Sequence, residues 1–130
     1  MIEKDWITDA GLRAVVLALP LGHRCGYVAV QHEHPAYGKG YDDVDVEAHG
    51  GLTYAGGEDD YPAEGKGVWW FGYDCAHYLD ALDPAIMSEE YKKLFFKWPA
   101  LSLRETATLR DTAYCVAECE ALAKQLKELT

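Results

Sequence analysis

Apolar and polar residues follow two different periods along this chain. From Leu12 to Leu19 (Leu-Arg-Ala-Val-Val-Leu-Ala-Leu) a short, apolar, partly β-branched run predicts a strand. Pro20-Leu21-Gly22-His23 breaks it, and Arg24 to Gln31, carrying Tyr27, Val28 and Val30, predicts a second strand. The two pair most simply as an antiparallel hairpin. A loop rich in His, Pro and Gly runs from His32 to Gly40. Asp43-Val44-Asp45-Val46-Glu47 alternates acid with valine, the pattern of a half-buried strand with one acidic face in water. Residues 55–67 have no apolar period and read as an exposed, mobile loop. Val68 to Tyr73 carries the strongest strand signal. Alternation places Val68, Trp70 and Gly72 on one face and Trp69, Phe71 and Tyr73 on the other, so both faces are expected to be covered.

After this strand the period lengthens. Asp83-Pro84 has the form of an N-cap with proline at the first helical position, predicting a helix from Ala85 to Lys97 with Ile86, Tyr91, Leu94 and Phe95 inward. Pro99 ends it, and Ser102-Leu103-Arg104-Glu105 has capping-box form. From Leu109 to Leu129 the apolar positions Leu109, Ala113, Val116, Cys119, Ala123 and Leu126 step by threes and fours. Thr108 with Asp111 suits the start of that helix, and Lys124 and Lys127 suit its C-terminal dipole. Strands first and helices last predict an α+β fold: an antiparallel sheet followed by C-terminal helices. Residues 1–130 form one domain, strand-rich over 1–77 and helical over 78–130.

Composition narrows the functional classes. No apolar run reaches the roughly 18 residues of a transmembrane helix. The opening Met1-Ile2-Glu3-Lys4-Asp5-Trp6 lacks the basic-then-apolar form of a signal peptide, so a cytoplasmic chain is expected. A formal net charge of −10 argues against nonspecific binding of nucleic-acid polymers, which needs clustered Lys and Arg. It leaves room for a small anionic ligand held by a local group of donors, and Arg13, Arg24, Arg104 and Arg110 are the only arginines. Cys25, Cys75, Cys115 and Cys119 include no CxxC pair, and buried apolar thiols are the better reading than a zinc site built with His77.

The stretch from His49 to His77 concentrates the unusual residues. His49-Gly50-Gly51-Leu52-Thr53-Tyr54 is a glycine turn, and Val68-Trp69-Trp70-Phe71-Gly72-Tyr73-Asp74-Cys75-Ala76-His77 follows aromatics with an acid, a thiol and an imidazole. For a nucleotide-like ligand, Trp70, Phe71, Tyr73 and Tyr54 supply rings, Gly50 exposes amide, and Arg24, Arg104 and Arg110 supply charge. Asp74 accepts from hydroxyls, and His77 and His49 complete the candidate set. The same aromatics equally fill a core, the glycines equally make turns, and the arginines equally form surface ion pairs. No P-loop, HExxH, GxSxG or GxGxxG is present. His32-Glu33-His34 lies in a loop, where alternating His-x-His reads as solvated polar filler before it reads as a metal site, and the Cys75/His77 pair has no clear third group to orient it.

Four segments carry a resemblance: Trp6 to Ala14, His49 to Tyr54, Trp70 to His77, and Glu118 to Leu126. With these the chain resembles a family of phage and prophage proteins, the first type of Thoeris anti-defence protein, which are sponges for the cyclic ADP-ribose signal of bacterial TIR-domain enzymes. The resemblance implies a compact α+β homo-oligomer, dimers assembling into a hexamer, in the cytoplasm of the bacterial host. It further implies tight binding of a glycocyclic ADP-ribose without cleavage, with cyclic trinucleotides held by some members at a separate site between subunits. By the same resemblance an aromatic near the strand stacks on the base, best matched by Phe71, and arginines hold the phosphates. Residues 78–101 have no counterpart in this pattern. Such a protein needs neither cofactor nor metal, and no catalytic residue. The competing classes are a metal- or cysteine-dependent hydrolase resting on His32, His34, Cys75 and His77, and a ligand-free phage interaction protein.

Overall fold

Alternation of apolar residues builds one sheet, and the computed structural model describes it together with the rest of residues 1–97 and 107–129. The strands are β1 (Ile2–Ile7), β2 (Arg13–Ala18), β3 (Arg24–Gln31), β4 (Tyr54–Gly56) and β5 (Val68–Asp74). They run in the order β1-β2-β3-β5-β4, each pair antiparallel. Two short strands, β6 (Asp80–Ala81) and β7 (Thr108–Leu109), form a separate parallel pair. The helices are α1 (Glu89–Lys97) and α2 (Thr112–Glu128). The α+β class and the β2–β3 hairpin expected from the sequence are both present.

Both faces of the sheet are covered, as the two bulky faces of β5 require. On one face Ala14, Val16, Val28, Val30, Phe71 and Tyr73 pack against Cys115, Cys119, Leu122, Ala123 and Leu126 of α2. On the other, Val15, Leu17, Tyr27, Ala29, Val68 and Trp70 pack with Ala63, and Tyr54 and Tyr61 close over them. Residues 55–67 are therefore not a free loop. Tyr61 donates to or accepts from Tyr27 Oη at 2.7 Å, and Ala63 is buried, because the face carrying Trp70 has no helix of its own. Gly26 lies opposite Tyr73 on the neighbouring strand, and a Cβ there would overlap the Tyr73 ring. The ring occupies that space and places its hydroxyl on the Cys115 carbonyl at 2.8 Å.

Elsewhere the elements differ from the sequence pattern for local reasons. The Asp43–Glu47 strand does not form: Tyr41–Asp43 is a 3-10 turn, and the extended residues after it have no strand partner. Gln125 of α2 takes that place, accepting from Glu47 N at 2.7 Å and donating to Glu47 O at 2.8 Å, while Val44 and Val46 still pack on the core. Asp83 caps only the 3-10 turn Pro84–Ile86, and α1 starts anew after Ser88, whose hydroxyl accepts from Tyr91 N. None of the residues of α1 is buried; Tyr91 and Leu94, expected inward, are exposed. Helix α2 begins at the Asp111 cap rather than at Leu109, and its buried stripe is Cys115, Cys119, Leu122, Ala123 and Leu126, with Ala113 exposed and Val116 half-buried. The N-terminal strand β1 escapes the sequence pattern because its inward groups are Glu3, which accepts from Arg24, and Trp6, which donates to Glu120, while Ile2 and Ile7 face solvent. Arg104 and the Ser102–Glu105 motif lie outside the described residues. Among the described residues no helix is long and apolar enough to cross a membrane.

Leu122 sits with no exposed surface where α2 meets the sheet. Leu122→Ala should lower the unfolding free energy by about 3 kcal/mol through lost burial and a residual cavity. Urea denaturation checks this, and a loss under about 1 kcal/mol would show that the α2 interface is not packed as described.

Candidate functional site

One end of the sheet holds a polar cluster centred on Asp80. Strand β5 ends at Asp74, and the chain turns through His77 into β6, where Asp80 N donates to His77 O at 3.0 Å. The β6–β7 pairing sets Asp80 beside Thr108 and so brings in Arg110 from thirty positions further along the chain. The glycine turn contributes the third part. Gly51 N donates to Ala48 O and Thr53 N to Gly72 O, which ties the turn to β5. Gly50 has φ +67°, a conformation that side-chain-bearing residues rarely adopt, and a Cβ there would run into the His77 ring. Glycine at this position lets the turn bring His49 against His77, with ring centroids 5.4 Å apart.

The Asp80 side chain is 1% exposed, and its carboxylate is surrounded by donors. His49 Nε2 lies 2.9 Å from both carboxylate oxygens, His77 N and Nδ1 each lie 3.0 Å from Oδ2, and Arg110 Nε lies 3.0 Å from Oδ1. Burial alone would raise the Asp80 pKa. The hydrogen bonds from His49, the His77 backbone, Arg110 and the His77 ring outweigh it and hold the group ionised, well below the usual carboxylate range. A carboxylate facing both rings fixes their tautomers: the proton lies on His49 Nε2 and on His77 Nδ1. His49 Nδ1 then accepts from Tyr114 Oη at 2.7 Å, and Arg110 lies over the Tyr114 ring at 4.7 Å. Asp74 borders the rim, accepting from Thr53 Oγ1 at 3.0 Å and from Ala76 N at 3.1 Å.

Of the residues picked from the sequence, His49, Gly50, Asp74, His77 and Arg110 meet here. The others lie elsewhere. Phe71 has no exposed surface and belongs to the core beneath α2, so its ring is closed to a stacking ligand in this conformation. Tyr73 is buried on the same face. Trp70 is buried on the opposite face, where Arg13 covers its ring at 5.3 Å, and Tyr54 packs there edge-on against Tyr27 and Tyr61. Arg24 is buried: its guanidinium is taken by Glu3 at 2.6 Å and Asp83 at 3.0 Å, with Nη1 on the Arg110 carbonyl at 3.3 Å. It positions the backbone before α2 and has no donor turned to solvent for a ligand.

Asp80 and Tyr114 are the residues sequence reasoning missed. His77-Tyr78-Leu79-Asp80 offered a signal, a histidine with an acid three residues later, but the longer-period reading of that region hid it. His34, by contrast, is structural: Nε2 donates to Leu126 O at 2.6 Å near the end of α2, and Nδ1 accepts from Ala36 N. All four cysteines are buried, and Cys75 Sγ lies 3.8 Å from Cys115 Sγ. Among the described residues no serine or threonine hydroxyl and no thiol is hydrogen-bonded to His49 or His77; the hydroxyl that does meet one of them is the phenol of Tyr114, on His49. A surface cleft of about 670 Å³ lies elsewhere, between Asp9–Ala10 and Glu120–Glu128. Its walls are mainly charged side chains of both signs, and none of the candidate residues lines it.

No family model, curated protein or solved structure matches this chain. The chemistry of the cluster is therefore the firmest ground for function. It offers the Arg110 guanidinium on the donor side and the Asp74 carboxylate as an acceptor at the rim.

His23, near Asp74 and Asp80, has a buried Nδ1 with no hydrogen-bond partner among the described residues. Burial lowers its pKa from 6.5 by more than the two carboxylates raise it. The unfolded chain therefore takes up this proton first, so the His23 contribution is complete above pH 6.5 and is lost as pH falls below it. Unfolding free energies measured from pH 7.5 down to pH 5 should fall less steeply in His23→Gln than in the parent; identical slopes would contradict the assignment.

Proposed function

We propose that this chain binds and sequesters a small anionic, nucleotide-derived signal without cleaving it, and that the signal is of the cyclic ADP-ribose type. The observation that carries the reading is the convergence of His49, Gly50, Asp74, His77 and Arg110 around one buried carboxylate. These residues come from separate points in the sequence, yet they form a rim where the His77 side chain is 39% exposed and Arg110 and Asp74 are partly open. The Arg110 guanidinium suits phosphate oxygens, and a partly exposed carboxylate suits ribose hydroxyls. Rings closed in the core leave the stacking role to the rim, where Tyr78 is 70% exposed and adjoins His77.

Among the described residues no serine, threonine or cysteine side chain is hydrogen-bonded to either histidine, which favours holding over a serine- or cysteine-type hydrolysis. The choice of a cyclic ADP-ribose signal, the bacterial cytoplasm and a role against a phage-directed defence come from the resemblance in the His49–Tyr54 and Trp70–His77 segments, part of which forms this rim. A dimer-based homo-oligomer belongs to the same reading. A site whose side chains are already held by Asp80 is preorganised, and preorganisation favours the slow release that sequestration requires.

The test is to mix purified protein with the product of a TIR-domain enzyme, remove unbound material, heat-denature the complex and analyse the released molecule by mass spectrometry. Intact ligand is expected. Return of a degraded product would indicate an enzyme, and recovery of nothing would remove the reading. Arg110→Ala should weaken binding by about 1.5–3 kcal/mol if Arg110 meets a phosphate, whereas an unchanged affinity would place the ligand elsewhere.

A further inference from the structure

The two histidines and the carboxylate are arranged as ligands as well as hydrogen-bond partners. His49 Nε2 lies 2.9 Å and His77 Nδ1 3.0 Å from Asp80 Oδ2, and the three ligand atoms all fall within 4.8 Å of one another. Two donors about 2.1 Å from a single first-row ion, at angles between octahedral and tetrahedral, stand roughly 3.0–3.4 Å apart. The Asp80-centred spacings are therefore already close to those of a ligand sphere. Arg110 Nε holds Oδ1 at 3.0 Å, His77 Nδ1 faces Oδ2, and His49 Nε2 is equidistant from the two oxygens.

We propose that His49 Nε2, His77 Nδ1 and Asp80 Oδ2 bind a divalent transition-metal ion. A set of two imidazole nitrogens and one carboxylate oxygen selects Zn²⁺ and its neighbours Co²⁺, Ni²⁺ and Fe²⁺ over Mg²⁺ and Ca²⁺, which favour oxygen alone. Three protein ligands leave at least one position for water, and the exposed side of His77 gives that position access to solvent.

The second layer of the cluster fits the same role. A metal-bound imidazole carries its proton on the far nitrogen and donates it to an outer partner. One such partner is in place, Tyr114 Oη at 2.7 Å from His49 Nδ1, while Asp74 Oδ1, 3.8 Å from His77 Nε2, stands beyond hydrogen-bond distance. A pure hydrogen-bond hub would be satisfied by Arg110, the His77 backbone and the well-buried His49. The ring of His77, open to solvent, supplies a second ligand nitrogen instead.

This inference is separate from the nucleotide reading, because its probe is the ion alone. Chelator-treated, nucleotide-free full-length protein is titrated with Co²⁺ and with Zn²⁺, followed by visible absorption and calorimetry. One ion per chain is expected, with cobalt d–d bands and no near-ultraviolet thiolate-to-cobalt band. His77→Gln, at the rim, should abolish saturable uptake, and Tyr114→Phe should weaken it by about tenfold or more, while His32→Gln leaves it unchanged. Absence of stoichiometric uptake would overturn the proposal. So would uptake unaltered by His77→Gln and Tyr114→Phe, or a thiolate band assigning the ion to the buried Cys75 and Cys115.

Discussion

A buried carboxylate is the constraint on which the functional end of this molecule depends. Removing an ion of this size from water costs several kcal/mol even after relaxation, and only close donors offset it. Asp80 obtains them from the glycine turn at His49, from the backbone and ring of His77 after β5, and from Arg110 before α2. Satisfying one charge therefore fixes three loops at once, and Tyr114 extends the constraint into the first turn of α2 through His49.

The rest of the fold supplies the platform. Strand β5 is covered on both faces, so its register with β3 is strongly specified and its end at Asp74 is held in place. Arg24 contributes from beneath: paired with Glu3 and Asp83, it reaches the Arg110 carbonyl and links β1, β3 and the approach to α2. Two buried polar systems, one around Arg24 and one around Asp80, thus flank the same backbone. Their complementary signs let an acidic chain place a cation at a rim without a basic surface.

Much of the fold was legible because the core strands obey period two. Arg24 to Gln31 is the third strand end to end, and the faces of Val68 to Tyr73 divide as alternation requires. Legibility failed where side chains replaced backbone partners. Gln125 stands in for a strand beside Glu47, and Glu3 with Trp6 turn inward where a hydrophobic pattern expects Ile2 and Ile7. The site was half legible. His49, Gly50, Asp74 and His77 were conspicuous as types, but Asp80, the group that gathers them, is one acid among twenty-two Asp and Glu. Its importance comes from burial, which no local pattern announces. The aromatics misled for the converse reason: rings that suit a ligand equally suit a two-sided core, and the core took Phe71, Trp70 and Tyr73.

The dependence of the site on one charge is tested most directly by Asp80→Asn, which keeps the shape of the side chain and removes its charge. Chemical denaturation at neutral pH, combined with amide hydrogen exchange, should show a loss of about 3 kcal/mol or more, because the donors would face an uncharged partner. Protection should fall together at Gly51, Thr53, His77 and Asp80, whose amides are bonded within the turns that the charge holds. A loss under about 0.5 kcal/mol, with protection unchanged at these amides, would contradict the role given to Asp80.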